Sequence, residues 1–469
     1  MRVRTWWCAG LVACGGATAP DAGDTAPEVD TSTPVVDAPP PEPPLGGCGM
    51  APYTLPTEGV GVPLSYERND ALTVSRGLLG LAAQVAGVPG LAQPPYDVEA
   101  WNVRMTTRDR GQPVEATGMI VMPVGSDPPD AGWPVALLVH SFAGLAGPCS
   151  PSQGSLEEAV EALLIASRGF VVLAPDLIGL DGSTTPWPPH APQVGEQVAI
   201  GAWDFHAAAR ELLAGDLRQQ ASLEGPLDDR LVLWGASQGG HGVLFTELYG
   251  PYLAPDVEVV AVASGTPPLD LRAIVGQATA TWGDASGLAA LTLLGMKRWY
   301  GVGDLATVFG DEPPTSLAST AETALGMDTP DCALPFDEPP RDVATWFTPG
   351  LRDADQTGQW QAVAPFDCFL ASNSLPGTPV ARLRRTPILT VWGERDEVVD
   401  PTLQTGAFDA LCEDGWDLRW LGCAEADHAE ANLWAIPTTT RFLKDRLAGV
   451  AEEGAACVRP DWARCEAQP

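Results

Sequence analysis

The sequence predicts an α/β protein: a doubly wound, mostly parallel sheet with one inserted helical cap. Two regularities and one interruption predict it. Short, continuous, β-branched runs recur as "PVALLVH", "GFVVLAPD", "RLVLWGA", "VEVVAVASG" and "TPILTVWG". Such runs suit strands covered on both faces of a parallel sheet. Helix-like stretches alternate with them, and that alternation builds right-handed βαβ units. The rhythm breaks once, where about 120 residues, 266–385, separate the last two runs, far beyond an ordinary connection.

The chain opens with "MRVRTWWCAGLVACGG". Two Arg precede an apolar run too short to span a bilayer, the form of a signal peptide. "LVAC" resembles a bacterial lipobox, so residues 1–13 are expected to be removed and Cys14 to carry lipid. Residues 14–47 are acidic, Pro-rich and nearly free of large apolar groups, which suits an extended tether. Next, "NDALTVSRGLLGLAAQVAGVPGLAQPPYDVEA" is apolar but broken by Gly and Pro. It reads as short helices or an arm over the body.

"VEAWNVRMTT" and "VEATGMIVMP" alternate partially and suit an antiparallel sheet edge. Helices are expected over Ser155–Ser167, which opens with Ser and two Glu, over Gln197–Ala214 and over Gly239–Leu248. A terminal helix is expected over Pro437–Leu447, with Pro in its first turn. Within the long interval, residues 277–310 are helix-rich and apolar, so residues 266–385 read as the cap. The core then divides into residues 48–265 and 386–469.

Charge and cysteines narrow the function. The 469 residues hold 60 Asp+Glu against 26 Lys+Arg, a net charge of −34. That balance argues against nucleic acid and anionic membrane surfaces as the main partner. Of ten Cys, Cys8 lies in the signal and Cys14 at the lipobox. The even remainder in an exported chain suggests disulfides. Sequence-local pairing gives Cys412–Cys423, Cys457–Cys465, Cys332–Cys368 and Cys48–Cys149. No CxxC and no paired His occurs at ligand spacing, so no metal site is expected.

The chemistry centres on "LVLWGASQGGHG". A Gly-x-Ser-x-Gly box after a buried strand and before a helix fits a nucleophile elbow. Gly235 and Gly239 must be small there, and the helix N-terminus supplies positive potential to Ser237. A Ser hydroxyl needs a base, and the base an acid to hold it. Among His140, His190, His206, His241 and His428, only His428 lies beyond all the expected strands. His206 and His241 sit in helix patterns, His190 in a Pro-rich loop, and His140 suits a loop brace. The acid is expected just after "TPILTVWG". Asp396 is the choice, Asp400 the second; Glu394 lies too close to the strand end and Asp427 too close to His428. Two backbone N–H groups should hold a developing oxyanion: one from Gln238, the other from Ser141 or Phe142.

With these residues in place the chain resembles the α/β-hydrolase superfamily, and within it the secretory lipases. The matching stretches are "HSFAGLAGPCSPS", "LAPDLIGL", "GASQGG" and "ELYGPYLAPDVEVVAVASGTPPLDL", and a helical insertion follows them as in that family. The resemblance covers roughly Arg76 to Gly449. It implies an α/β-hydrolase fold and hydrolysis of esters, commonly acylglycerols, with no cofactor. It also implies Ser237 as nucleophile, Asp396 as acid and His428 as base. Ser141 stands where related hydrolases often carry Gly. Other expectations compatible with these residues are a short-chain or aryl esterase, a serine peptidase with the same triad, and a non-catalytic surface lipoprotein.

Overall fold

The structure is a computed structural model that describes residues 42–85, 88–125, 128–144, 150–153, 156–180, 190–310, 342–451 and 455–468. Cys14, Cys149, Cys332, the signal segment and most of the tether lie outside the described residues.

The strands are β1 (Pro63–Val74), β2 (Asp97–Asp109), β3 (Gln112–Val124), β4 (Trp133–Val139), β5 (Val171–Pro175), β6 (Leu227–Ala236), β7 (Val259–Gly265), β8 (Ile388–Gly393) and β9 (Leu418–Cys423). They form one sheet in the order β1-β2-β3-β5-β4-β6-β7-β8-β9. β1, β2, β3 and β5 pair antiparallel in turn. From β5 through β4 and β6 to β9 every pairing is parallel. The α/β-hydrolase fold predicted from the sequence is therefore present.

The longer helices are α1 (Arg76–Val85), α2 (Leu156–Ala166), α3 (Gly195–Ala214), α4 (Asp216–Gln220), α5 (Gln238–Leu253), α6 (Leu271–Ala280), α7 (Asp284–Tyr300), α8 (Phe366–Ser372), α9 (Pro401–Glu413) and α10 (His428–Leu447). α3, α5 and α9 bury one sheet face with Trp203, Phe245 and Phe408. α1, α2 and α10 bury the other with Leu79, Leu163 and Leu443. Both faces are covered, which is why the central strands are continuously apolar. Between β7 and β8, α6, α7, α8 and shorter turns pack a third cluster around Trp299, Phe366 and Phe369.

Three expectations about the elements need correction. Residues 69–74 are strand, the end of β1, before α1 begins. β1 is mostly exposed and carries Glu67, Arg68 and Asp70; charge of that kind suits an edge strand and hides its pattern. β9, "LRWLGC", was not expected as a strand. The last helix starts at His428, not Pro437, which lies inside it. A reciprocal cap between Asp427 and Glu430 starts it early, and burial of Trp434 and Ile436 outweighs the amide that Pro437 lacks.

The disulfides differ as well. The pairs are Cys48–Cys368, Cys412–Cys457 and Cys423–Cys465, which overturns all four sequence-local pairings. β9 carries Cys423 about 20 Å along the strand from the end of α9, at about 3.3 Å per residue, so Cys412 and Cys423 stay apart. The chain's tail returns beside β9: Cys457 N–H donates to Leu418 and Ala463 N–H to Gly422. Each cysteine therefore meets one on the tail. Residues at the end of the expected tether also pack on the body. Gly46 N–H donates to the Glu196 carboxylate at 2.8 Å, and Tyr249 O–H donates to the Pro44 carbonyl at 3.2 Å.

Candidate active site

β6 ends at Ala236 and α5 begins at Gln238, so Ser237 alone makes the turn. Its backbone takes φ 55° and ψ −121°, a strained region for a residue with a side chain. Two hydrogen bonds hold it there. Ser237 N–H donates to Gly265 at 2.8 Å, and the Ser237 carbonyl accepts from His241 N–H at 3.0 Å. The flanking glycines allow the close approach. A Cβ on Gly235 would strike the Gly239 carbonyl, and one on Gly239 would strike the carbonyls of Val139 and His140.

The structure brings Ser237, His428 and Asp396 together. His428 Nε2 lies 2.8 Å from Ser237 Oγ. Its Nδ1 lies 2.8 and 3.0 Å from the two Asp396 oxygens. Asp396 Oδ1 also accepts from Val398 N–H and Val399 N–H at 3.0 and 2.8 Å. The carboxylate is buried and so oriented from both sides. His428 is the first residue of α10 and Asp427 its N-cap. Asp400 caps α9 instead, accepting from Thr402 N–H at 2.8 Å.

The loop after β4 faces the elbow. Ser141 Oγ donates to the Ala236 carbonyl at 3.1 Å. His140 Nδ1 bonds the Ser141 carbonyl at 2.6 Å, so His140 braces this loop. Burial holds its pKa down to about 4, which keeps it neutral. Phe142 lines both cavities beside Ser237.

Sequence reasoning missed several groups here. His190 is not incidental: Gln238 Nε2 donates to its Nε2 at 3.2 Å. Burial first, then nearby His140, hold His190 down to about 3. His241 ties α5 to the insertion through the Asn373 carbonyl at 2.7 Å, and His206 packs edge-on against Trp203. Asn432 Nδ2 donates to Thr266 Oγ1 and to the His428 carbonyl, each at 2.9 Å. Glu161 lines the cavity beside Ser237, and burial pushes its pKa up to about 7, opposed by the nearby Ser141 backbone. Among the described residues no group of three or more His, Cys, Asp or Glu is placed to hold a metal ion.

Ser237 sits between two cavities. One, of about 550 Å³, runs between α2 and α10 past Trp234, Glu161, His428 and Ile436. The other, about 50 Å³, lies under α6 and α7 beside Phe142, Gln193 and Gln238.

A family model described as secretory lipase matches residues 159–454. The chain belongs to the secretory lipase family. Membership places it among ester hydrolases. No curated protein matches the chain closely enough to count as a relative. Solved structures share its fold. The rice cell wall degrading esterase LipA from Xanthomonas oryzae is 20% identical with a TM-score of 0.63, over 82% of this chain and 96% of that one. Candida antarctica lipase A in its closed state is 14% identical with a TM-score of 0.61, over 88% of each chain. No helix among the described residues is long and apolar enough to cross a membrane.

Proposed function

We propose that this secretory lipase is an extracytoplasmic serine hydrolase that cleaves carboxylic esters through an acyl-enzyme. The observation that carries the reading is the unbroken chain Ser237 Oγ, His428 Nε2, His428 Nδ1 and Asp396, with 2.8 Å at each junction. Ser237 Oγ attacks the ester carbonyl carbon while His428 Nε2 takes its proton. The N–H groups of Gln238 and of Ser141 or Phe142 hold the oxyanion. The intermediate collapses, and the alcohol leaves with the proton from His428. Water, activated by His428 in turn, frees the acid and restores Ser237. Asp396 holds the imidazole in the tautomer that accepts from Ser237 and stabilises its charged form.

Three disulfides among the described residues support an oxidising compartment. In this reading residues 1–13 direct export, Cys14 carries the lipid and the tether holds residues 48–469 at a membrane surface. The segment 266–385 serves as cap.

The test is initial rates on p-nitrophenyl esters from acetate to palmitate, for wild type and Ser237→Ala. Wild type is expected to turn over, and Ser237→Ala to lose about 10⁴-fold or more in kcat. A fluorophosphonate should add mass to wild type at Ser237 and leave Ser237→Ala unmodified. Retained turnover in Ser237→Ala refutes the assignment.

A further inference from the structure

An ester attacked by Ser237 divides between the two cavities beside it. The departing alkoxide takes its proton from His428 Nε2, so the alcohol lies on the His428 side. His428 lines the chamber of about 550 Å³ and does not line the chamber of about 50 Å³. The larger chamber therefore receives the alcohol, and the acyl arm points under α6 and α7.

The larger chamber has apolar walls. Val160 and Ile165 come from α2, Trp234 and Val391 from the sheet, and Leu433 and Ile436 from α10. Glu161 is the one carboxylic acid among the described lining residues, and no Lys or Arg joins it there. Its side chain is half-buried and keeps surface open to the chamber. A carboxylate in such surroundings needs a positive partner. His428, the other titratable group on this lining, works from its neutral form as the base, so the resting chamber holds no counter-charge for Glu161. Burial accordingly pushes the acid up to about 7, and a cation beside it would favour the ionised form again.

The walls also say which cation fits. They offer a primary ammonium few acceptors for its three N–H groups. A quaternary ammonium has no N–H to satisfy and is drawn to aromatic rings, and Trp234 and Phe142 both lie on this lining. We propose that the larger chamber selects alcohols bearing a quaternary ammonium group, with the Glu161 carboxylate as counter-ion and Trp234 and Phe142 as aromatic wall. The net charge of −34 draws any cation toward the protein; Glu161 fixes where in the site the charge sits. This inference rests on the ester-hydrolase reading and adds the substrate class.

Two pairs of esters test it on the full chain with its disulfides intact. Butyrylcholine and neohexyl butyrate have the same shape and differ in a positive nitrogen against a neutral carbon. Butyrylcholine is expected to react at least about tenfold faster in kcat/KM, after division by the two rates with hydroxide. Glu161→Gln should cut that preference to about twofold or less and keep the neohexyl rate within about threefold of wild type. If Glu161→Gln does not fold, the position of the charge decides. Ethyl trimethylammoniobutyrate carries the same charge on the acid side, and it should gain nothing over its own carbon isostere. Equal corrected rates for butyrylcholine and neohexyl butyrate overturn the proposal. So does a preference that survives intact in a folded Glu161→Gln, or an equal gain when the charge moves to the acid. Failure to hydrolyse any ester, neutral ones included, refutes the proposed function itself.

Discussion

Replacing Asp396 by Asn tests the proposed triad at the position where geometry makes the sharpest demand. Asp396 Oδ1 accepts two backbone N–H groups, from Val398 and Val399. An Asn side chain must put its oxygen there, because an NH₂ facing two N–H groups would lose both bonds. The NH₂ then takes the Oδ2 position, 2.8 Å from His428 Nδ1. It can only donate, which favours the imidazole with its proton on Nε2 over the one whose Nδ1–H reaches Oδ1 at 3.0 Å. That proton points at Ser237 Oγ, and Nε2 can no longer accept from it. Loss of the competent tautomer is worth about 10⁴ in kcat, or about 5.4 kcal/mol at 1.36 kcal/mol per decade. Both loop hydrogen bonds survive, so the fold should hold and KM should change little. The assay is initial rates on p-nitrophenyl butyrate, with thermal unfolding as a check on structure. A well-folded Asp396→Asn that keeps a tenth of wild-type kcat refutes the argument.

Two further substitutions probe the surroundings. Glu161 has a folded pKa of about 7 against an ordinary 4.5, so the folded chain keeps a proton that the unfolded chain has released. Stability should therefore fall as pH rises through that window. Glu161→Gln cannot ionise, so its Tm relative to wild type should climb between about pH 5 and pH 8; parallel Tm curves would sink the assignment. Asp427→Ala removes the cap in which Glu430 N–H donates to Asp427 at 2.8 Å. It should cost about 1 kcal/mol in chemical denaturation and lower kcat, because His428 opens the same helix. An unchanged denaturation midpoint would show the cap to be idle.

The sequence displayed Ser237 openly because three local demands coincide there: a buried strand, an elbow and a helix start. His428 and Asp396 were legible through chain order, since each follows a strand in the sequence the chemistry requires. What stayed hidden depends on contacts between distant segments. Gln193 and Glu161 sit in a Pro-rich loop and on a helix, where a polar residue reads as solvent-facing. Only the folded chain turns them toward Ser237. His190 gave no signal for the same reason: its partner, Gln238, lies 48 positions away. Cysteine spacing misled because the tail doubles back along β9, and local proximity then says nothing about pairing. Pro437 misled because a helix start was read where tertiary burial carries the helix through.

The bond between Cys48 and Cys368 closes a ring over a sequence separation of 320. Tension applied at the N-terminus therefore reaches residue 368 through a covalent link before it can peel β1 from the sheet edge. A peptide bond cut anywhere between residues 49 and 62 would leave the N-terminal segment still joined to the body. Were the chain held by its leading end as proposed, attachment would outlast such a nick, and a cut there would free the body only together with reduction of this disulfide.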